Sequence, residues 1–177
     1  MTETIILGGG CFWCTEAVYV RVKGITDVES GYSNGQAARP SYEDVCTGRT
    51  GCNEVVKLSY DPALISTREI LEIFFVIHDP TTLNRQGNDT GTQYRSGIYT
   101  SDAAQAEVAR AVITELTASG IYSRPVVTEV LPLANYWPAE DYHQDFFARN
   151  PQQGYCLAVA APKVAKFRKT FARLVRA

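Results

Sequence analysis

The chain has 177 residues, 45% apolar and 20% charged, with a formal net charge of -2, which fits one globular domain and excludes disorder, collagen and coiled coil. No run of about 18 apolar residues occurs, and Met1-Thr2-Glu3-Thr4 lacks the basic flank and long apolar stretch of a secretory signal, so the expectation is a soluble, cytoplasmic protein without membrane contact. Met1 is the sole methionine, and with only His78 and His143 present no three-histidine metal site can come from one chain.

Hydrophobic patterning predicts a mixed series of elements. A short apolar strand at Thr4 to Leu7 runs through Gly8-Gly9-Gly10 into a helix from about Cys11 to Val22. Strands are predicted at Thr26 to Gly31 and Glu54 to Tyr60, the second alternating Val56, Leu58 and Tyr60 before the turn Asp61-Pro62. Ser66 can N-cap a helix with Ile70, Leu71, Phe74, Phe75 and Ile77 as its buried set, ending at His78-Asp79-Pro80. Asp79 to Gln93 is a polar stretch about as long as structureless loops in compact domains become, and such loops tend to carry function.

A strand at Tyr94 to Thr100, a helix capped by Ser101 and running to about Ser119, a strand at Val126 to Leu131 and a short helix at Pro138 to Ala148 follow. Gly31 to Asn53 and Asn135 to Ala161 read as wrapping loops. No linker or composition break divides the chain, so residues 1–177 form one α+β domain, a mixed or antiparallel sheet with packed helices. From Pro162 to Ala177 there are six basic residues and no acid, but Val164, Phe167, Phe171 and Leu174 recur at three and four. That is the stripe of a docked amphipathic helix whose cations face water, and the expectation is no nucleic-acid partner.

Five cysteines, an odd number in a chain without a secretion signal, argue against a structural disulfide framework. Cys11-x2-Cys14 has zinc-knuckle spacing, but Cys46-x5-Cys52 does not supply a convincing second knuckle, so zinc is the weaker reading. Cys11 follows a glycine-rich strand-to-helix turn. At a helix N-terminus, unpaired backbone N–H groups and the dipole lower a thiol pKa, and a titration well below the free value of about 8.5 is expected there. The three glycines would leave space for a substrate beside the sulfur, and Phe12-Trp13 would form an apolar wall suited to a thioether or methyl group.

Gly10-Cys11-Phe12-Trp13-Cys14-Thr15-Glu16 resembles the signature of the A-type methionine sulfoxide reductases, peptide-methionine (S)-S-oxide reductase. The resemblance continues through Ser30-Gly31-Tyr32, Tyr42 to Gly48, Glu54-Val55-Val56, His78-Asp79-Pro80, Gln86 to Ser96, Asp141 to Asp145 and Asn150 to Cys156, nearly the whole chain in order. It implies an α+β core of the ferredoxin-like plait type, Cys11 as nucleophile, and Phe12 and Trp13 around the substrate's S-methyl group. It further implies Glu54, Tyr42 and Tyr94 as the groups that bind and protonate the sulfoxide oxygen, Asp89 as orienting the site or the substrate, and Cys156 as the resolving cysteine. No metal or organic cofactor is implied; electrons would come from thioredoxin, and a monomer is expected. Two departures stand out: Cys52 replaces a histidine common two residues before the acid, and Cys14 occupies a position often filled by glycine.

The chemistry explains these residue types. A sulfoxide oxygen is a poor leaving group, so thiol attack on sulfur needs a proton donor, and a carboxylic acid kept neutral by an apolar pocket is one. Tyrosine hydroxyls add donors where charge develops on oxygen. The stretch Asn150 to Tyr155, with its proline and glycine, reads as a mobile loop that would let Cys156 travel to Cys11, whereas Cys14 is fixed on the helix. Cys11 and Cys14, at i and i+3 of a helix, would have Cβ atoms about 5–6 Å apart, which a modest adjustment bridges. The alternatives are a general thiol-disulfide oxidoreductase using Cys11 and Cys14, a zinc-binding module, and a hydrolase with a Cys11–His143 dyad.

Overall fold

In the computed structural model, which describes residues 1–177, the first strand emerges where the apolar run predicts it: β1 spans Glu3–Gly8, and its last four residues are buried. Gly9 and Gly10 turn the chain into α1 (Phe12–Tyr19), for which Cys11 is the N-cap. β2 (Ile25–Ser33) and β3 (Asn53–Tyr60) pair antiparallel along almost their full length, with Tyr32 opposite Glu54. Between them lies a short helix, α2 (Tyr42–Cys46), closed by a capping box in which Ser41 and Asp44 bond reciprocally. The expected wrapping loop therefore contains a helix. Its Ser-x-x-Asp signature is in the sequence, but five residues are too few for periodicity to register.

α3 (Thr67–Ile77) has the Ser66 cap that the sequence predicts, completed by Glu69, and buries Ile70, Leu71, Ile73, Phe74, Phe75 and Ile77. The polar stretch after it is bent into a miniature hairpin, β4 (Arg85–Gln86) and β5 (Asp89–Thr90), followed by a 3-10 turn over Thr92–Tyr94. Gln86 clasps the loop base: its Oε1 accepts from the Asp79 N–H and its Nε2 donates to the Asp79 carbonyl, both at 2.9 Å. β6 (Gly97–Thr100) is shorter than expected because that 3-10 turn claims Tyr94.

α4 (Ala103–Ser119) is capped by Asp102, whose side chain accepts from the Gln105 N–H, and not by Ser101, whose hydroxyl donates to the Thr4 carbonyl instead. β7 (Glu129–Pro132) runs parallel to β6, and β8 (Tyr136–Pro138) pairs antiparallel with β2. The helix expected over Pro138 to Ala148 is absent. Pro138 ends a strand, Asp145 adopts a left-handed φ of 55° that interrupts any helix there, and only a 3-10 turn (Asp141–His143) and α5 (Phe146–Arg149) form. The chain closes with a π-helical stretch, Cys156–Ala160, that leads directly into α6 (Ala161–Thr170) and a 3-10 turn at Ala172–Leu174.

The strands form a six-stranded mixed sheet in the order β7-β6-β1-β3-β2-β8. One continuous apolar core draws Ile5 and Leu7 from β1, Val18 from α1, Phe74 from α3 and Phe167 from α6, so helices from both ends of the chain pack on the sheet. Val164, Phe167 and Leu174 of the predicted C-terminal stripe are buried. No helix is long and apolar enough to cross a membrane.

Candidate active site

The glycine turn places Cys11 by close packing. Gly10 has a φ of 93°, and a Cβ there would lie 2.6 Å from the Gln86 side chain. One on Gly8 would meet Asn53 at 2.4 Å, and one on Gly9 would meet Phe74 at 3.0 Å. The space over the glycines is thus filled by the protein's own side chains, which corrects the expectation of an open, glycine-lined mouth beside the sulfur.

Cys11 itself is half-buried, outside the helix proper with φ -59° and ψ 128°, and its carbonyl accepts from the Cys14 N–H at 3.1 Å. Its thiol is held well above the ordinary value. Burial is the main cause, helped by a hydrogen bond to the Cys14 thiol and by the Glu54 carboxylate, against which the Trp13 backbone N–H works. The expected low-pKa thiolate is therefore not the resting state: one backbone N–H of a short helix is outweighed by desolvation and neighbouring negative charge.

Glu54 projects from β3 and is 1% exposed. Its Oε1 accepts from the Phe12 N–H at 3.3 Å, and its Oε2 has no partner. Burial pushes its carboxyl up to about 8, with Asp89 adding to the shift against the Phe12 N–H. Tyr42, at the start of α2, and Tyr94, in the 3-10 turn, are half-buried and both feel Glu54. Burial and that carboxylate hold both hydroxyls above the usual phenol range, so they are protonated donors. The structure thus brings Cys11, Glu54, Tyr42 and Tyr94 to one locus from four separated segments.

The aromatic surroundings are divided. Phe12 is fully buried, its ring centroid 5.7 Å from Tyr32 and 5.0 Å from His143, which makes it floor instead of exposed wall. Trp13 remains half-buried, stacked on Phe146 at 3.7 Å and donating from Nε1 to His143 Nδ1 at 3.0 Å. His143 also packs against Tyr42 at 4.6 Å. Its Nδ1 is taken by the indole and its buried Nε2 has no partner, so no hydrogen bond joins it to Cys11 and the expected Cys11–His143 dyad does not form. Asp89 accepts a 2.5 Å hydrogen bond from the Tyr155 hydroxyl, itself 3.8 Å from the Cys14 sulfur.

Sequence reasoning assigned no role to Tyr155, Phe146 or Glu140. Glu140 accepts both the Tyr32 hydroxyl and the Tyr42 N–H at 2.8 Å and so fixes the entry to α2. Only their occurrence inside or beside motif segments flags them, since their partners are distant in the chain.

Cys156 departs most from expectation. It is fully buried, in the π-helical stretch that packs against α1, and its N–H is tied to Gln153 Oε1 at 3.1 Å. Of the predicted loop, residues 150–153 form turns, but the helix already starts at Gly154, because the chain from there onward has no residue that stops helix before Pro162, which sits harmlessly in the first turn of α6. All five cysteines are free thiols, and no three His, Cys, Asp or Glu side chains converge as metal ligands.

A thiol beside a neutral carboxylic acid and two phenols, in a partly aromatic pocket, defines a thiol-dependent enzyme equipped to protonate an oxygen. The profile of the family described as Peptide methionine sulfoxide reductase matches residues 3–174. The peptide methionine sulfoxide reductase MsrA of Polynucleobacter asymbioticus is 57% identical over 173 residues, covering 98% of this chain and 91% of that protein. Among solved structures, Mxr1 from Saccharomyces cerevisiae in reduced form superimposes with a TM-score of 0.80 at 38% identity, covering 88% and 89% of the two chains. Mxr1 in complex with Trx2 matches at 0.57 and 27% identity over 82% and 84%. The chain belongs to the peptide methionine sulfoxide reductase family.

Proposed function

We propose that this protein reduces the S epimer of methionine sulfoxide, free or in proteins, with Cys11 as nucleophile and Glu54 as the acid that protonates the departing oxygen. The observation that carries the assignment is the buried Glu54 carboxyl, pushed up to about 8 and with one oxygen unpartnered, beside the Cys11 thiol. Cys11 sulfur attacks the sulfoxide sulfur while Glu54 gives its proton to the oxygen and takes the thiol proton in return. The sulfur–oxygen bond of the substrate breaks, the released hydroxide attacks the Cys11 sulfur, the bond between that sulfur and the substrate sulfur breaks as methionine leaves, and Cys11 holds the oxygen as a sulfenic acid. Two electrons pass from the thiol to the substrate, and Glu54 ends as it began.

Tyr42 and Tyr94, held protonated, donate to the oxygen as charge builds on it. Trp13 and the buried Phe12 face the S-methyl group, while Asp89, anchored by Tyr155, orients the substrate backbone. Cys156 supplies the second thiol of the disulfide that a thioredoxin-type dithiol then reduces; the complex of the yeast relative with Trx2 supports that partner. A ferredoxin-like plait within one domain is the matching reading of the fold. It is supported by the all-antiparallel order β6-β1-β3-β2, with α1 and α3 as its crossovers.

The test is methionine release from the separated S and R epimers with dithiothreitol as reductant. Turnover of the S epimer alone, lost in Cys11→Ser, is the expected result; activity surviving in that variant overturns the assignment.

A further inference from the structure

We propose that His78 is a positioning residue of the reductase site: the hydrogen bond it takes from Ser96 ties the turn that bears Tyr94 to the glycine turn that bears Cys11. The proposal deepens the reductase reading and rests on it.

The motif His78-Asp79-Pro80 takes no part in the chemistry above, yet the ring at its head is 7% exposed and both of its nitrogens are engaged. His78 leaves α3 in extended backbone, φ -141° and ψ 165°, and its ring turns back along the helix. Nδ1 lies 2.5 Å from the Phe74 carbonyl, one of the last four of the helix and so without an onward partner inside it. Nε2 lies 2.8 Å from the Ser96 hydroxyl, which is in turn 2.7 Å from that of Thr128.

These partners fix the direction of each bond. A carbonyl only accepts, so Nδ1 carries the hydrogen, and burial keeps the ring neutral by lowering its pKa to about 3. Nε2 is then an acceptor. Ser96 donates to it, Thr128 donates to Ser96, and the chain of bonds runs one way from Thr128 to Phe74. Neither ring nitrogen is free for proton transfer, so the ring acts by holding its neighbours.

Both ends of this tie reach the site. Ser96 stands two residues after Tyr94, just beyond the 3-10 turn, and its carbonyl accepts from the Glu129 N–H at 3.0 Å while its hydroxyl is held by His78. On the other side, the His78 and Phe74 rings, with centroids 4.0 Å apart, form the surface on which the glycine turn lies. A Cβ on Gly9 would stand 3.0 Å from Phe74 and 3.4 Å from His78. Asp79, the next residue, is clasped by Gln86, whose side chain packs on Gly10. The placement of the Tyr94 hydroxyl relative to the Cys11 sulfur therefore passes through this ring. In the proposed reaction Tyr94 donates as charge builds on oxygen, so misplacing it should slow the chemical step and leave substrate binding alone.

Two amides separate positioning from stability. In His78→Asn the side-chain N–H can still serve the Phe74 carbonyl, but nothing reaches Ser96; in His78→Gln the longer side chain offers Ser96 its carbonyl and gives up Phe74. Each loses one bond.

The experiment is single-turnover methionine release from methionine S-sulfoxide over a range of substrate concentrations, expressed per folded enzyme from circular dichroism. His78→Asn should lower the saturating rate by roughly 10–10²-fold with the half-saturating concentration unchanged, and His78→Gln should restore most of the rate. Equal rates in the two amides, or a change in half-saturating concentration alone, overturn the proposal. Ser96→Ala, a milder change that decides the matter if neither amide variant folds, should slow the same step, and the slowing should vanish in a Tyr94→Phe background, where no hydroxyl is left to place. Losses that multiply in the double variant, or Tyr94→Phe at wild-type speed, overturn the proposal and leave the reductase reading in place. Absence of methionine release by the wild-type protein would instead remove the reading beneath it.

Discussion

Glu54 shows how one residue serves chemistry at a cost in stability. Its carboxyl must be protonated to act as an acid, so single-turnover reduction should fall as pH rises through about 8, and Glu54→Gln should slow it by roughly 10²–10⁴-fold at neutral pH. A variant at full speed would exclude Glu54 from proton transfer. The raised pKa also means that the native state keeps a proton that the unfolded chain has lost, so stability declines as pH rises from about 4.5 toward 8. Glu54→Gln should therefore gain stability over the wild type across that window, by at most about 1.4 kcal/mol per pH unit, readable in urea melts at pH 5 and pH 8. Cys11 gives a second prediction: its alkylation by iodoacetamide should rise only above the ordinary thiol range, and its midpoint should move down in Glu54→Gln, where a neutral amide replaces the carboxylate. A profile with an ordinary or low midpoint would mean that the helix terminus outweighs burial. At this scale the sequence named Cys11, Glu54, Tyr42 and Tyr94 as a set, since their motif segments carry them. It misjudged the thiol's charge state, because desolvation depends on neighbours that no local pattern reveals.

Among elements, the 3-10 turn that carries Tyr94 is held from behind by Arg95. That side chain bonds the Thr92 carbonyl at 2.8 Å and Glu129 of β7 at 3.2 Å, and the same Glu129 oxygen accepts the Tyr99 hydroxyl at 2.8 Å. Asn53, next to Glu54, donates to the Arg95 carbonyl at 3.0 Å, so the acid and the phenol share one support. Arg95→Gln should lower kcat/KM by roughly 10²-fold through misplacement while destabilising the fold by only about 1–3 kcal/mol, with Glu129→Gln milder in both. Loss of stability without loss of kcat/KM would reduce Arg95 to a structural role. Strongly periodic elements such as α3 were legible down to the cap. Elements set by long-range partners were not: β8 depends on its pairing with β2, and the turn at Asp145 depends on a left-handed residue that is not glycine. The helical setting of Cys156 was missed because Pro151 and Gly154 just before it read as loop; Pro151 does lie in a turn, but Gly154 already opens the helix.

Over the whole molecule, Glu16 joins Glu54 as a buried acid. It is 3% exposed and pushed up to about 7 chiefly by burial, with the backbone of Asp145 and of Phe146, the residue that stacks on Trp13, working against the shift. Each of the two acids contributes a downward slope with rising pH, from about 4.5 to 7 for Glu16, while His78, which burial lowers to about 3, and His143, also lowered by burial, contribute the opposite slope below about 6.5. The readout is therefore the difference between variant and wild type: Glu16→Gln should gain stability over the wild type progressively from pH 4.5 to 7, and a difference that does not change with pH would contradict the burial of Glu16. The disposition of the five thiols matters in a cell under peroxide. Cys14, Cys52 and Cys156 are buried, Cys11 is half-buried and protonated at rest, and Cys46 alone is exposed. Peroxide reacts with thiolates it can reach, so brief treatment should oxidise Cys46 first and leave sulfoxide reduction measurable; early loss of Cys11 in a peptide map would say otherwise. The chain has no methionine beyond Met1. A catalyst of methionine repair built this way offers reactive oxygen no methionine beyond Met1 and a dispensable exposed thiol ahead of the catalytic one, and stays serviceable in the conditions that create its work.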